Sequence, residues 1–367
     1  MFDRRLIEYF DWVLLGITIC LGIIGLGILY SAVAAGEVTP NRVLFIKQMI
    51  WFGAGLFLML CSLLLNYRTL DRWAIWFYIG TLLLLVAVLM VGKYVGGSKR
   101  WLIIGPVTMQ PSEIAKLGVI VMLAKYYAKY SNVNGLSFRE LIRPFFIVLI
   151  PFGLIVNQPD LGTAMVILLI AASMTFFVKI EKKTLACIMS VCIVTVPLVW
   201  FLLKGYQKQR ILTFLNPDRD PLGAGYHIIQ SKIAIGSGML TGKGFLKGTQ
   251  NMLSFLPEQH TDFILSVLAE EWGFVGTGMV VLVYLLLIVW GLNIAHGCRD
   301  AFGLILSVGI TSLLFWQVFI NIAMVMGLMP VVGVPLPLVS YGGSSVVTTV
   351  ISIGILINVS MRRFMVD

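Results

Sequence analysis

Apolar runs recur from one end of the chain to the other, separated by short polar stretches. A helix rises about 1.5 Å per residue, so runs of roughly 18 to 24 residues can cross the hydrocarbon layer of a membrane. The pattern predicts an all-α polytopic membrane protein with about ten transmembrane helices. The expected spans are Trp12–Ala34, Val43–Leu65, Trp73–Gly92, Ser112–Tyr130, Pro144–Asn157, Gly162–Val178, Thr184–Leu203, Phe263–Ile294, Phe302–Met329 and Gly343–Met361.

The fifth run, Pro144–Asn157, is shorter than the others and is closed by Gln158, Pro159 and Asp160. It is therefore expected to end inside the membrane as a broken or tilted element, which would make it a candidate for function. Asp160 has two open interpretations: it caps the following helix, or it contributes its charge to a polar cavity.

Composition agrees with a membrane protein, since 59% of the residues are hydrophobic, 12% are charged and the mean hydropathy is +0.95. Residues 1–367 are predicted to form a single integral membrane domain. The net charge of +10 is explained by topology and by contact with anionic lipid, without nucleic acid. The cysteines indicate neither disulfides nor a zinc site, because four lie in apolar runs and one in a predicted cytoplasmic turn. They are Cys20, Cys61, Cys187, Cys192 and Cys298.

Lys and Arg in the short loops set the orientation. Arg4 and Arg5 place the N-terminus in the cytoplasm, and an even number of spans returns the C-terminus there. The first span follows these basic residues without a small-residue cleavage site, so we expect it to stay as an uncleaved anchor. On this topology Lys204–Asp262, between helices 7 and 8, forms one long extracytoplasmic loop.

The long loop has seven basic and four acidic residues, a net charge of +3. A basic surface facing a membrane attracts phosphate attached to a lipid. The loop includes Arg210 and ends in His260, Thr261 and Asp262, directly before an apolar run. Taken alone, Asp262 is expected to cap the next helix; its carboxylate could also meet the headgroup of a lipid-linked substrate.

Charged residues also occur in or near the predicted spans, where they are costly. Glu113 and Lys116 are spaced i, i+3, so they share a helix face, either as a locking ion pair or as part of a cavity for a charged ligand. Ser112 is the expected N-cap of their helix. Just upstream, Arg100 and Trp101 end a basic, aromatic turn suited to an anionic headgroup.

Pro335–Ser345 is predicted to be an irregular outer loop that opens into the last helix. Its glycines and the hydroxyls of Ser340, Tyr341 and Ser344 either line a groove or belong to a tight re-entrant turn.

Four motifs, in this order, resemble those of the RodA/FtsW family, the shape, elongation, division and sporulation (SEDS) proteins. They are QPSEIAK from Gln110, QPDLGTA from Gln158, LPEQHTDFI from Leu256 and LPLVSYGGSS from Leu336. The resemblance covers essentially all ten spans. A very short N-terminal tail and the Gly248-Thr-Gln250 segment are more similar to the elongation branch, RodA, than to the division branch.

The resemblance implies a peptidoglycan glycosyltransferase that polymerises lipid II at the outer face of the bacterial cytoplasmic membrane during cell elongation. It implies inversion at the sugar carbon with Asp262 as the general base. Arg100, Arg210 and Lys116 are candidates to stabilise the leaving pyrophosphate. No cofactor is required by the sequence, although a divalent cation, Mg²⁺ or Mn²⁺, is compatible with this chemistry.

The other site residues and the partners come from the same combination of motifs and resemblance. The implied partners are lipid II, the growing undecaprenyl-pyrophosphate-linked glycan strand, a class B penicillin-binding transpeptidase and other membrane proteins of the elongation complex. Two alternatives stay open, a lipid II flippase or transporter and a non-catalytic scaffold. The residues expected to bind substrate or support the base are Glu113, Lys116, Arg100, Trp101, Asp160, Arg210, His260, Thr261, Ser340, Tyr341 and Ser344.

Overall fold

The structure is a computed structural model that describes residues 8–34, 42–95, 98–105, 107–130, 135–202, 205–220, 223–253, 255–256 and 258–363. Arg4, Arg5 and Lys204, on which part of the predicted topology depends, lie outside these ranges. So do Gly96 and Gly97 of the basic turn.

Helices dominate the described residues, and each of the ten predicted spans falls on one of them. The helices are α1 (Trp12–Ala34), α2 (Arg42–Leu64), α3 (Arg68–Val91), α4 (Pro111–Tyr130), α5 (Phe138–Asn157), α6 (Leu161–Phe177), α7 (Lys182–Leu202), α8 (Gly205–Leu215), α9 (Ala224–Ser237), α10 (Thr249–Met252), α11 (Ile264–Gly297), α12 (Ala301–Val325) and α13 (Gly343–Arg362).

Seven helices within the described ranges are long and apolar enough to cross a membrane: α1, α2, α3, α5, α11, α12 and α13. An all-α polytopic membrane protein is therefore confirmed. The count of ten spans stays a prediction, because it also needs α4, which carries four charged side chains, the 17-residue α6, and α7.

The centre of the bundle is formed by α4, α12 and α13, whose side chains are mostly buried. Small residues let these helices approach closely, as is usual for helices packed in a membrane. On α12, a Cβ atom at Gly309 would lie 2.6 Å from Cγ2 of Ile120 on α4 and 2.9 Å from the sulfur of Met174 on α6. An alanine at Gly309 would therefore require the side chains of Ile120 and Met174 to shift.

The basic stretch before α4 is not only a turn, because it forms a small antiparallel sheet in the order β1-β2-β3. The strands are β1 (Lys93–Val95), β2 (Ser98–Ile104) and β3 (Val107–Met109). Lys93 pairs with Trp101, and Leu102 pairs with Met109. The strands are short and their apolar residues do not alternate cleanly, so the period-two signal was too weak to predict them.

The prediction of a short fifth span was wrong, since α5 runs for 20 residues with Pro144 and Pro151 inside it. Its first turn is charged, so the apolar pattern alone does not include it in the span. That turn is started by a capping box, in which Glu140 Oε2 accepts the backbone N–H of Ser137 at 2.8 Å. The helix does end at Asn157, and α6 begins at Leu161, so the predicted break lies in the expected place.

The predicted long loop is largely helical in its described part, with α8, α9, α10 and a 3₁₀ turn at Pro217–Arg219. It is also packed against the bundle rather than standing free. On α9, the hydroxyl of Ser231 donates to the carbonyl of Val325 at 2.6 Å and lies 2.9 Å from the hydroxyl of Ser266 on α11. The segment thus has a fixed position relative to α11 and α12.

Helix α11 is interrupted at Gly273, whose φ of 67° and ψ of −163° are accessible mainly to glycine. Residues 239–244 insert at this break. The backbone N–H groups of Lys243 and Gly244 donate to the carbonyls of Glu270 and Glu271 at 3.0 and 2.9 Å. Beyond the break, the N–H groups of residues 274 and 275 donate to the carbonyls of residues 239 and 240 at 2.8 and 3.0 Å. The first two turns of α11 are therefore anchored separately from its long remainder.

Candidate active site

Asp262 lies in the turn that leads into α11, and its carboxylate is not used by the fold. The N-cap position belongs to Phe263, and no side chain caps the helix, so the expectation that Asp262 caps it was wrong. The turn is closed instead by the carbonyl of Glu258, which accepts from the N–H groups of Thr261 and Phe263 at 3.1 and 3.4 Å. No hydrogen bond to the Asp262 carboxylate is found among the described residues, which leaves both of its oxygens available to a ligand.

Burial raises the pKa of Asp262 from its ordinary value of 3.8 to about 6. The charges of Glu258 and Asp160 raise this pKa further, whereas those of Arg100 and Arg210 lower it. These four side chains all act on Asp262 although they come from β2, the start of α6, α8 and the turn before α11. The structure thus brings together four of the predicted site residues, Asp262, Arg100, Asp160 and Arg210, and adds Glu258.

The loop before α13 approaches the carboxylate through Gly333, which has a φ of +72°. A Cβ atom at Gly333 would lie 3.3 Å from Oδ2 of Asp262, and a Cβ at Gly162 would lie 2.4 Å from the carbonyl oxygen of Val332. Residues 332 and 333 of the loop therefore lie between Asp262 and the beginning of α6 and contact both.

The backbone carrying Asp262 is held at three consecutive carbonyls. The N–H of Tyr341 donates to His260 O at 2.9 Å, and the hydroxyl of Ser340 donates to Thr261 O at 2.6 Å. The side-chain amide of Asn321, on α12, donates to Asp262 O at 3.0 Å and to the carbonyl of residue 334 at 2.8 Å. Asn321 was missed by the sequence analysis; its signal was an amide inside an apolar run, where polar side chains are expensive.

Asn321→Ala is expected to lower the kcat of the glycosyl transfer implied by the family resemblance by about 10²-fold, with little change in KM. The reason is that a misplacement of about 1 Å at a reacting group lowers the rate by about this factor. Gln317→Ala is the matched control, since Gln317 is also a buried amide and lies one turn earlier on α12. Steady-state kinetics on both variants check the prediction. Equal losses in the two variants would mean that Asn321 only stabilises the helix.

The structure confirms that Asp160 caps α6, while its contribution of charge to a polar cavity stays a prediction. It caps α6 by accepting from the backbone N–H and the hydroxyl of Thr163 at 3.2 and 3.0 Å. It also forms an ion pair with Arg100, with Nη1 and Oδ1 3.8 Å apart, and accepts from the side-chain amide of Gln110 at 3.0 Å. The N–H of Gln110 in turn donates to the hydroxyl of Ser344 at 3.0 Å.

Glu113 and Lys116 form an ion pair on α4, with Nζ and Oε1 2.8 Å apart and both side chains buried. The helix begins at Pro111, and the hydroxyl of Ser112 has no partner among the described residues, so Ser112 is not the predicted N-cap. The predicted pairing is confirmed, and a role of these charges toward a ligand stays a prediction. The Glu113 carboxylate neutralises the charge of the Lys116 ammonium, which argues against Lys116 as the main ligand of a pyrophosphate.

The remaining predicted residues surround these groups. The hydroxyl of Thr261 donates to a carboxylate oxygen of Glu258 at 2.9 Å, and the rings of His260 and Tyr341 lie 6.0 Å apart. Burial raises the pKa of Tyr341. Trp101 follows Arg100 on β2 and is partly buried. Direct contacts of these side chains with substrate stay a prediction.

A divalent cation also stays a prediction. Within the described residues, no group of three or more His, Cys, Asp or Glu side chains is placed to hold a metal ion.

The chain matches the FtsW/RodA/SpoVE family, described as cell cycle proteins, over residues 11–364. It belongs to this family. Two similar family members are the peptidoglycan glycosyltransferase MrdB of Escherichia coli K12 and the peptidoglycan glycosyltransferase RodA of Treponema pallidum. The first is 41% identical over 361 residues, covering 98% of this chain and 97% of the relative. The second is 32% identical over 431 residues, covering 98% and 99%.

Solved structures of FtsW/RodA/SpoVE proteins share the fold. The rod shape determining protein RodA of Thermus thermophilus superimposes with a TM-score of 0.71 at 28% identity, covering 97% of this chain and 98% of that one. A chain from a peptidoglycan synthase complex that coordinates polymerization and crosslinking gives a TM-score of 0.82 at 32% identity, covering 97% and 98%.

Proposed function

We propose that this protein is a peptidoglycan glycosyltransferase that joins lipid II disaccharides into glycan strands, with Asp262 as the general base. The observation that carries the assignment is the Asp262 carboxylate, free of hydrogen bonds within the described chain and with a pKa raised to about 6. A base whose pKa lies near the operating pH is both ionised and basic enough to accept a proton in the transition state. Full-length similarity to two peptidoglycan glycosyltransferases supports the same reaction.

In the proposed step, the 4-hydroxyl of an acceptor N-acetylglucosamine attacks C1 of a donor N-acetylmuramic acid. Its proton passes to Asp262, the new bond forms between O4 and C1, and the bond between C1 and the pyrophosphate oxygen breaks. Attack from the face opposite the leaving group inverts C1. One carboxylate is sufficient for such a displacement, which agrees with a site where the Asp262 carboxylate is free of hydrogen bonds within the described chain and its backbone is held in place.

The departing lipid pyrophosphate is negatively charged, and Arg100 and Arg210 are the side chains proposed to receive it. Both guanidinium groups act on the Asp262 carboxyl group, so they are close to the reacting atoms. The fork of N–H groups on an arginine suits phosphate oxygens, and Asp160 at 3.8 Å orients Arg100. Lys116 supports the site from α4 through its pair with Glu113.

For the membrane context, we propose ten spans with both termini in the cytoplasm and the Asp262 site at the outer face. We also propose that the protein works with a class B penicillin-binding transpeptidase, since a solved neighbour belongs to a complex that couples polymerization and crosslinking. A glycan polymerase supplies the strands that such a transpeptidase consumes.

The decisive experiment is a lipid II polymerisation assay on the purified protein in detergent, with and without the transpeptidase, followed by gel analysis of glycan strands. Strand synthesis in the presence of a transpeptidase whose own catalytic serine is blocked is the expected result. Movement of labelled lipid II across vesicle membranes without strand synthesis would instead identify a flippase. Neither activity, with the partner still bound, would identify a scaffold.

The pH dependence of polymerisation should follow the ionisation of Asp262. Because the base must be ionised, kcat/KM is expected to be constant at alkaline pH and to fall tenfold per unit below pH about 6. Glu258→Gln removes a charge that raises this pKa, so its acidic limb should lie at lower pH than that of the parent. A profile that is flat down to pH 4.5, or that does not move in Glu258→Gln, would exclude Asp262 as the titrating base.

A further inference from the structure

Two consecutive carboxylates, Glu270 and Glu271, lie two turns into α11, just before the break at Gly273. Both are almost completely buried, with 1% and 2% of their surface exposed. Oε1 of Glu270 accepts from the ammonium of Lys243 at 2.7 Å, the hydroxyl of Thr249 at 3.0 Å and the N–H of Gln250 at 3.1 Å. Oε1 of Glu270 thus accepts three hydrogen bonds.

The Glu271 carboxylate also receives hydrogen bonds from the backbone N–H of Leu246 and the side-chain amide of Asn251, so it is partly satisfied. Three oxygens of this group nevertheless have no hydrogen-bond partner of good geometry in the described part of the chain. They are Oε2 of Glu270, Oε2 of Glu271 and Oδ1 of Asn251, and the last residue is only 1% exposed. Buried polar atoms are normally paired, so three orphaned oxygens in one place need an explanation. All three are acceptors, and what they lack is a donor or a cation.

Several contacts show that these three residues are neighbours. The Asn251 amide donates to the carbonyl of Ser31 at 3.0 Å, and the hydroxyl of Ser31 donates to Oε1 of Glu271 at 2.5 Å. A Cβ atom at Gly248 would lie 2.8 Å from Oε2 of Glu270 and 3.4 Å from Cβ of Asn251. Ser31 and Gly248 therefore bring both carboxylates and the amide together.

The charges of the cluster do not balance. Lys243 forms an ion pair with Glu270, and no ion pair of Glu271 is found within the described ranges. A buried carboxylate without a counter-charge is expensive, so the group either carries a proton or holds a cation. Oxygen ligands from carboxylates and amides, without imidazole or thiolate, are the set that Ca²⁺ and Mg²⁺ prefer.

We propose that Glu270, Glu271 and Asn251 form a binding site for a hard divalent cation, Ca²⁺ or Mg²⁺, with water completing its shell. Glu270 follows Asp262 by eight residues, about 12 Å along a helix, so the ion would not touch the reacting sugar. It would instead tie the first two turns of α11 to Ser31 on α1 and to α10. The site is a structural one that holds the segment bearing Asp262.

The test uses the purified full-length protein, freed of metal with a chelator, and measures Tm while Ca²⁺ or Mg²⁺ is added. The parent should show a rise in Tm that saturates and equilibrium dialysis of radioactive Ca²⁺ should give one bound ion per chain. Glu271→Gln should lose both responses, whereas Asp218→Asn, at an exposed carboxylate of the 3₁₀ turn, should keep them. These readouts need no lipid II, so they are independent of the proposed catalytic activity.

A second variant covers the case in which Glu271→Gln does not fold. Asn251→Asp adds a negative oxygen ligand and should tighten Ca²⁺ binding at least several-fold, whereas Asn251→Ala should weaken it. The absence of saturable binding in the parent, or equal binding in the parent and Glu271→Gln, would overturn the proposal and leave a proton on Glu271 as the explanation of the orphaned oxygens.

Discussion

Asp262→Asn is expected to lower the rate of lipid II polymerisation by about 10²- to 10⁴-fold, the range over which a positioned general base contributes. Asparagine keeps the shape of the side chain and the three held carbonyls of residues 260–262, but it cannot accept a proton from the attacking hydroxyl. Initial rates of glycan formation, measured with saturating transpeptidase, check the prediction. Asp218→Asn, an exposed carboxylate in the same part of the chain, is the control and should polymerise at the parental rate.

The same variant should be more stable than the parent at neutral pH, which distinguishes lost chemistry from lost structure. The fold raises the pKa of Asp262 from 3.8 to about 6, so the ionised carboxylate is unfavourable in the folded state. Stability therefore falls as pH rises from about 4 to 6 and stays lower above it. Two pKa units correspond to at most about 3 kcal/mol, which Asp262→Asn recovers. Normal polymerisation by Asp262→Asn would exclude this residue as the base.

The apolar pattern was enough to predict the helices because a membrane span needs an unbroken run of apolar residues, and that signal is strong in a single sequence. Each predicted span coincides with a helix to within four residues at either end, except α3 and α5, which begin five and six residues earlier than predicted. The first turn of α5 was misread because Arg139 and Arg143 lower the apolar signal, although the capping box of Ser137 and Glu140 starts a helix there. The strands of the small sheet are too short to be predicted from the sequence pattern.

The site was predicted only in part, because its parts depend on contacts between distant segments. The motifs identified Asp262, Asp160 and Arg100, and the structure adds that they act on one another. Asn321 lies 59 residues from Asp262 in sequence, and its role also depends on where the loop before α13 lies. Likewise, nothing local to Gly273 shows that residues 239–244 fill the break in α11. Long-range contacts of this kind have no periodic signature.

Glu113 and Lys116 either form an ion pair that only stabilises α4 or contribute charge to the binding of a ligand. Variants that change the two charges in matched ways can decide between these interpretations. Removing one partner, as in Lys116→Met, leaves an uncompensated buried charge and should destabilise the protein by about 3–5 kcal/mol, with loss of folded protein and of activity. The exchange Glu113→Lys with Lys116→Glu restores the pair. Its rescue should be partial, because a lysine in the first turn of α4 opposes the helix dipole.

The neutral double variant Glu113→Gln with Lys116→Met then separates locking from function. Because it removes both charges and keeps most of the side-chain volume, it should fold with a Tm within a few degrees of the parent. If the pair only locks α4, this variant also polymerises lipid II at close to the parental rate, and that is the expected result given the 2.8 Å contact and the burial of both groups. A variant that folds and binds the transpeptidase but makes no glycan would show instead that one of the two charges acts on the substrate. The folded fraction from size-exclusion chromatography and the polymerisation rate of the same sample provide the two measurements.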